Sequence, residues 1–182
     1  MKKIEVEIKG LTPYLMHRFG EEGADRKSQK KIGKKDYKAE VEKALYKSPD
    51  GEIYVPSTQI KGCLREAGKQ LRVVGKGKST YSKLFGAFLL IEPDAIPMLN
   101  QEWVTDARAV VIQRARIIRY RPKFNEWGLK FTILIMEDSI DPSVVKEGLD
   151  LGGNYIGIGD FRPQKKGSFG RFMVTKFKEI KE

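Results

Sequence analysis

The sequence predicts an α+β domain built on an antiparallel sheet, and three observations carry that prediction. Two runs, Lys2 to Lys9 and Trp127 to Met136, alternate apolar and polar residues with the period of a half-buried strand. Two others, Ser57 to Arg72 and Pro142 to Leu151, carry apolar residues at helical spacing. With the strand-like runs around them, the chain order reads strand, helix, hairpin, helix, strand, which places both helices on one face of the sheet.

Composition bounds the rest. A chain of 182 residues can bury one good-sized core, so 1–182 is expected to be a single domain with a basic insertion around residues 20–50. Its 35 basic against 24 acidic residues, a net +11, call for a polyanionic partner. There is neither a basic amphipathic helix, nor a lipidation signal, nor an apolar run of about 18 residues, so a membrane is not the expected partner. One cysteine, Cys63, and one histidine, His17, leave no intrachain disulfide and no Cys/His zinc set. No metal and no cofactor are expected, and the absence of a hydrophobic signal core suggests a cytoplasmic protein.

Ile4, Val6 and Ile8 alternate with Lys3, Glu5, Glu7 and Lys9 and define the first strand, which stops at Gly10. Leu11 to Phe19 reads as extended or turning chain, and Gly20 to Lys35 as a basic loop or an arm that orders on nucleic acid. Tyr37, Val41, Ala44 and Leu45 suggest a short helix over Asp36 to Tyr46, followed by a turn at Ser48-Pro49-Asp50-Gly51. Ile53 to Pro56 is extended. Ser57 is then placed to cap a helix reaching Arg72, with Ile60, Leu64, Ala67 and Leu71 as its apolar stripe. The positive end of that helix, with Ser57, Thr58 and Lys61, is a candidate phosphate seat, and Arg65 follows one turn on.

Val73 to Ser82 is a lysine- and glycine-rich connection, and Leu84 to Ile91 an apolar run whose length and aromatics favour a strand, although periodicity alone does not separate so short a run from a helix. Arg114, Arg116, Arg119, Arg121 and Lys123 give the run to Phe124 the character of a basic strand; across Asn125-Glu126 it is expected to form a hairpin with Trp127 to Met136. Asp141 caps the helix from Pro142, Val144, Val145 and Leu149 point inward, and Gly152 is expected to close it. Arg171 to Ile180 is the last strand.

The densest segment is Gly152 to Phe172. Six glycines fall within these 21 residues, among Tyr155, Phe161, Phe169 and Phe172 and the cations Arg162, Lys165, Lys166 and Arg171. Glycine permits positive φ and a close approach of backbone to ligand, and unengaged amides in such a loop face anions. Turn-rich chain leading into a final strand is the plainer reading. Aromatic rings beside cations favour binding, with rings stacking on bases and cations neutralising phosphates.

Strand, helix, hairpin, helix, strand is the βαββαβ order of a ferredoxin-like or RNA-recognition-like antiparallel sheet, whose open face is a natural platform for single strands. Tyr54-Val55-Pro56-Ser57-Thr58-Gln59-Ile60-Lys61-Gly62-Cys63-Leu64-Arg65 resembles the segment that opens the first helix in the RAMP superfamily, the ferredoxin-like subunits of CRISPR effector complexes. Gly157-Ile158-Gly159 through Gly170-Arg171-Phe172 is similar to the glycine-rich loop of that superfamily. The two segments cover roughly a fifth of the chain. Ser57-Thr58 departs from the superfamily pattern, which often has glycine after the proline. The stretch Ile8 to Phe19 also resembles the start of small proteins encoded in phage genomes, which would suit a role in phage recombination or annealing, or in counter-defence.

The expected function is therefore non-catalytic, largely sequence-independent binding of single-stranded RNA or DNA, with homo-oligomerisation along the strand. The expected contacts are Ser57, Thr58, Lys61, Arg65, Arg114, Arg116, Arg119, Tyr120, Arg121, Phe161, Arg162, Lys165, Lys166, Phe169 and Arg171. Tyr120, Phe161 and Phe169 are the stacking candidates, and of Phe169 and Phe172 at least one must belong to the core. The alternatives are a metal-independent endoribonuclease using His17, as the resemblance allows, and a basic structural or assembly protein. A phosphate-binding P-loop, a nucleophile elbow and a carboxylate cluster of the metal-nuclease kind are all missing; Asp36, Asp106, Asp138 and Asp160 are scattered along the chain.

Overall fold

A computed structural model describes residues 1–18, 41–112 and 114–180. The expected basic loop from Gly20 to Lys35 lies outside the described residues. So does the helix expected from Asp36, except that residues 41–43 are helical.

The protein is α+β with antiparallel sheets. Strand β1 (Lys2–Gly10) lies inside a four-stranded sheet of order β4-β8-β1-β9, formed with β4 (Leu89–Glu92), β8 (Gly128–Ile135) and β9 (Phe172–Ile180). Its register sets Val6 opposite Phe131 on one side and Phe177 on the other. The alternation seen in the sequence is the alternation of burial: Ile4, Val6, Ile8, Leu129, Phe131, Ile133 and Ile135 are all buried. Each such side chain contributes about 1.5–3 kcal/mol through burial.

Helix α1 (Ser57–Ala67) follows the short β3 (Tyr54–Pro56) and buries Ile60, Cys63, Leu64 and Ala67. It is shorter than expected, ending at Gly68 rather than Arg72, and its N-cap is Pro56, not Ser57. Helix α2 (Tyr81–Phe88) then runs directly into β4, so Leu84 to Ile91 is the end of a helix and the start of a strand rather than one strand. Tyr81, Phe85 and Phe88 carry the helical spacing, while Leu89 and Ile91 carry the strand alternation.

The expected hairpin is replaced by another. Strand β7 (Ala115–Phe124) pairs along its length with β6 (Val104–Ile112) and, at its end, with β2 (Tyr14–Leu15), in a separate sheet of order β2-β7-β6. Both edges of β8 are already taken by β1 and β4. In the register of β7 with β6, Asp106 stands opposite Arg121 and Arg108 opposite Arg119. Asn125-Glu126 therefore carries the chain from one sheet to the other. Strand β5 (Ala95–Pro97) pairs with β3 in a two-stranded sheet.

Helix α3 (Pro142–Leu151) begins as the sequence predicts, with Asp141 accepting from the Ser143 amide at 2.8 Å and proline in its first turn. Gly152 does not close it. The helix continues as a π-helical turn, Gly152–Ile156, and ends at Gly157, where φ is +70°. Among the described residues no helix is long and apolar enough to cross a membrane.

Candidate functional site

The glycine-rich loop and α1, a hundred residues apart in sequence, form the two walls of one cleft of about 380 Å³. Thr58, Gln59, Gly62, Arg65 and Glu66 come from α1, and residues 156–160 with Arg162, Gln164 and Lys165 come from the loop. His17 and Tyr46 complete the lining, with Cys63 at its base.

Strand β2 and the residues flanking it set the loop in place. Asp160 donates its amide to the Leu15 carbonyl at 2.9 Å, and Gly170 donates to Pro13 at 2.8 Å. On the other side Met16 donates to Pro122 of β7 at 3.0 Å. The segment that carries His17 is thus held between β7 and the loop, which is why His17 faces the cleft.

The loop amides are spent inside the protein. Gly157 donates to Gly152, Ile158 to Gly170, Gly159 to Gln59 Oε1, Phe161 to its neighbour Asp160 Oδ1, and Phe169 to the Phe161 carbonyl. The expected cradle of unengaged amides for phosphate is therefore not formed, and any anion must be held by side chains. The glycines serve close packing instead: at Gly170, φ is +71° and a Cβ would overlap the Ile158 carbonyl oxygen. The helix end is likewise occupied. The Asp94 backbone carbonyl accepts from the Ser57 amide at 2.7 Å and its Oδ1 accepts from Ser57 Oγ at 3.2 Å, which sets a carboxylate where the phosphate seat was expected.

Charge at the cleft is still predominantly positive. Asp160 meets Arg121 Nη1 at 2.5 Å and His17 Nδ1 at 3.6 Å. Burial pushes the Asp160 carboxyl up, but the contact with His17 and the charge of Arg121 outweigh it and hold the group below its usual range. Glu66 is also lowered, chiefly by its hydrogen bond from Lys69 at 2.8 Å. With both carboxylates matched by cations, Arg65, Arg162 and Lys165 are left as the surplus charge of the lining. Burial pushes the Cys63 thiol up to about 12, so it is no nucleophile at neutral pH. Among the described residues no group of three or more His, Cys, Asp or Glu side chains is placed to hold a metal ion.

Of the residues expected from sequence, Thr58, Arg65, Arg162 and Lys165 come together here, with His17 beside them. Ser57 and Lys61 line a neighbouring groove with Glu92 and Asp94. Arg114 and Arg116 are exposed at the turn of the β6–β7 hairpin, while Arg119 and Tyr120 are half-buried along β7. Arg121 is buried, 8% exposed, and belongs to the Asp160 pair. Lys166 is exposed past the 3-10 turn Pro163–Lys165, and Arg171 donates to the Asn154 carbonyl away from the cleft.

The aromatic expectations change most. Phe169 and Phe172 are both buried, at 8% and 1% exposed, and Phe161 is half-buried with φ at +49°. Phe169 is therefore not an open stacking face. The open side of the four-stranded sheet offers none either: Phe131, Phe172 and Phe177 lie in or against the core. Glu5 and Glu7 occupy that side in ion pairs with Lys130 and Lys176. Sequence reasoning did not single out Gln59, Glu66, Tyr46, Asp106 or Arg108. Gln59 stood inside the quoted helix-opening segment, but its partner a hundred residues away left no local signal. No protein-family model matches the chain and no curated protein matches it, which leaves its own residues as the ground for a functional reading.

Proposed function

We propose that this chain is a non-catalytic protein that binds single-stranded nucleic acid in the cleft between α1 and the glycine-rich loop. The supporting observation is the convergence of two distant segments on one cleft whose surplus charge is Arg65, Arg162 and Lys165, in a chain of net +11. Side-chain cations without a built base-reading surface favour backbone contact and weak sequence preference. The same reading takes the four-stranded sheet as ferredoxin-like and the chain as RAMP-like: its order β4-β8-β1-β9, with α1 and α2 between β1 and β4 and α3 between β8 and β9, supports it. Assembly of several copies along one strand belongs to the same proposal, and mass photometry with strands of increasing length tests it.

Fluorescence anisotropy of labelled single strands and duplexes at two salt concentrations is the direct experiment. The wild type is expected to prefer single strands, and the Arg65→Ala, Lys165→Ala double variant to flatten log K against log salt by up to about 1.4, since each single-strand phosphate contact is worth about 0.7. An unchanged slope, or equal affinity for duplex, overturns the proposal.

One observation favours a second reading, a metal-independent endoribonuclease. His17 lines the cleft with Nδ1 towards Asp160, which is itself tied to Arg121, and a carboxylate that orients an imidazole is an arrangement general bases use. Site-specific RNA cleavage that persists through purification and vanishes in His17→Ala would establish it. RNA left intact by the wild type ends it.

A further inference from the structure

We propose that Arg108, not an aromatic ring, is the surface on which an unpaired nucleobase stacks; this rests on the single-strand reading above. Strands β6 and β7 set Asp106 and Arg108 opposite Arg121 and Arg119. Within that face the Arg108 guanidinium lies over the Phe169 ring, with its carbon 4.4 Å from the ring centroid, and 5.6 Å from that of Phe161. Asp106 takes Nε at 2.6 Å and Nη2 at 3.3 Å, which fixes the fork in its plane. Despite these contacts the Arg108 side chain is 38% exposed.

What remains accessible decides the ligand. Asp106 has neutralised the charge and occupied one edge of the fork, so a phosphate gains little there. A guanidinium is planar and weakly hydrated, and stacks on π-systems. Single-stranded bases are held on such planes as well as on aromatic rings. Because Phe169 beneath and Asp106 beside it have already immobilised the group, a base landing on it costs little further side-chain entropy. The arrangement also gives Phe161 and Phe169 a role compatible with their burial, as the floor of the platform. Phe161 sits between Asp160 and Arg162, two residues of the cleft, so a strand held in the cleft has the platform next along its path.

The test compares Arg108→Lys with the wild type on two probes, a single-stranded deoxyadenosine oligomer and an abasic oligomer of equal length. Lysine keeps the charge and the reach to Asp106 but loses the plane. The expected result is a loss of roughly 5-fold or more on the adenosine oligomer, the lower end of what one stacked base contributes, with the abasic oligomer and the salt slope unchanged. Equal loss on both probes, or loss on neither, overturns the platform while single-strand binding stands. A wild type that binds neither probe overturns both. Thermal melting checks that the variant is folded. If it is not, saturating the wild type with an oligomer carrying 2-aminopurine decides: altered fluorescence supports stacking, and unaltered fluorescence overturns it.

Discussion

The amide of Gly159 donates to Oε1 of Gln59 at 3.1 Å, and this bond ties the glycine-rich loop to α1. The same oxygen accepts from the Tyr14 hydroxyl at 3.0 Å, where Tyr14 is fully buried and burial pushes its phenol up. One glutamine side chain therefore holds both walls of the cleft and the strand that carries His17 to it.

Gln59→Leu should orphan both donors and destabilise the fold by about 1–3 kcal/mol for each. Gln59→Glu should be milder, because a carboxylate oxygen can accept both bonds. It should nonetheless weaken single-strand binding by adding negative charge to the cleft. Urea denaturation and anisotropy on both variants check this, and equal destabilisation by the two would show that Oε1 is not the shared acceptor.

Two glycines separate strain from crowding. Gly51 has φ of +86° with open space around its Cβ position, so Gly51→Ala should cost only the left-handed conformation, about 1–2 kcal/mol. Gly170 has φ of +71° and the Ile158 carbonyl in the way, so Gly170→Ala should cost that much plus a displacement of the loop. Chemical denaturation should rank Gly170→Ala well below Gly51→Ala; similar midpoints would mean the loop yields easily.

Glu5 makes a pH prediction. Hydrogen bonds from Lys130 and Lys176 lower its carboxyl from 4.5 to about 2. A carboxyl lowered by folding adds stability that is fully present above its unfolded pKa and is lost as pH falls through the folded one. The advantage of wild type over Glu5→Gln should therefore be constant from pH 7 to about 4.5 and shrink between 4.5 and 2. Urea midpoints at pH 7, 4.5 and 3 measure it, and an advantage that persists unchanged at pH 3 would contradict the ion pairs.

How much of this was legible differs from residue to residue for physical reasons. The alternation of Ile4, Val6 and Ile8, and the Asp141-Pro142 start of α3, follow from burial and capping within a few residues, so sequence shows them directly. The partner of β7 does not follow from its own residues: the basic run ending at Phe124 was equally compatible with a turn to β8 and with pairing along β6, and the partner of Arg121, Asp160, lies far along the chain. Phe169 could face either way beside its glycines, and only the arrival of Arg108 over it fixes the choice. Thr58, Arg65, Arg162 and Lys165 line one cleft because helix and loop each present them locally, and that local presentation is what the sequence shows. The amides of the loop were misread because their acceptors, Gly152, Pro13 and Leu15 among them, come from elsewhere in the chain.

Three cations near the loop should divide by readout. Lys165 lines the cleft and is exposed, so Lys165→Ala should reduce the salt slope on single strands by about 0.7 and leave the thermal midpoint nearly unchanged. Arg171 is half-buried and donates to the Asn154 carbonyl in the π-helical turn, outside the cleft lining. Arg171→Ala should lower the midpoint and leave the slope alone. Arg162 does both things: it lines the cleft while its Nη1 donates to the Gly159 carbonyl at 3.0 Å and its Nε to Gln164 Oε1 at 3.1 Å. Arg162→Ala should therefore move both readouts, because removing the side chain withdraws a cation and loosens the loop that Gln59 holds from the other side. Melting and salt titration on the same preparations distinguish these patterns. An Arg171→Ala variant with an intact midpoint and a slope reduced by about 0.7 would place the phosphates on the far side of the loop and move the strand out of the cleft.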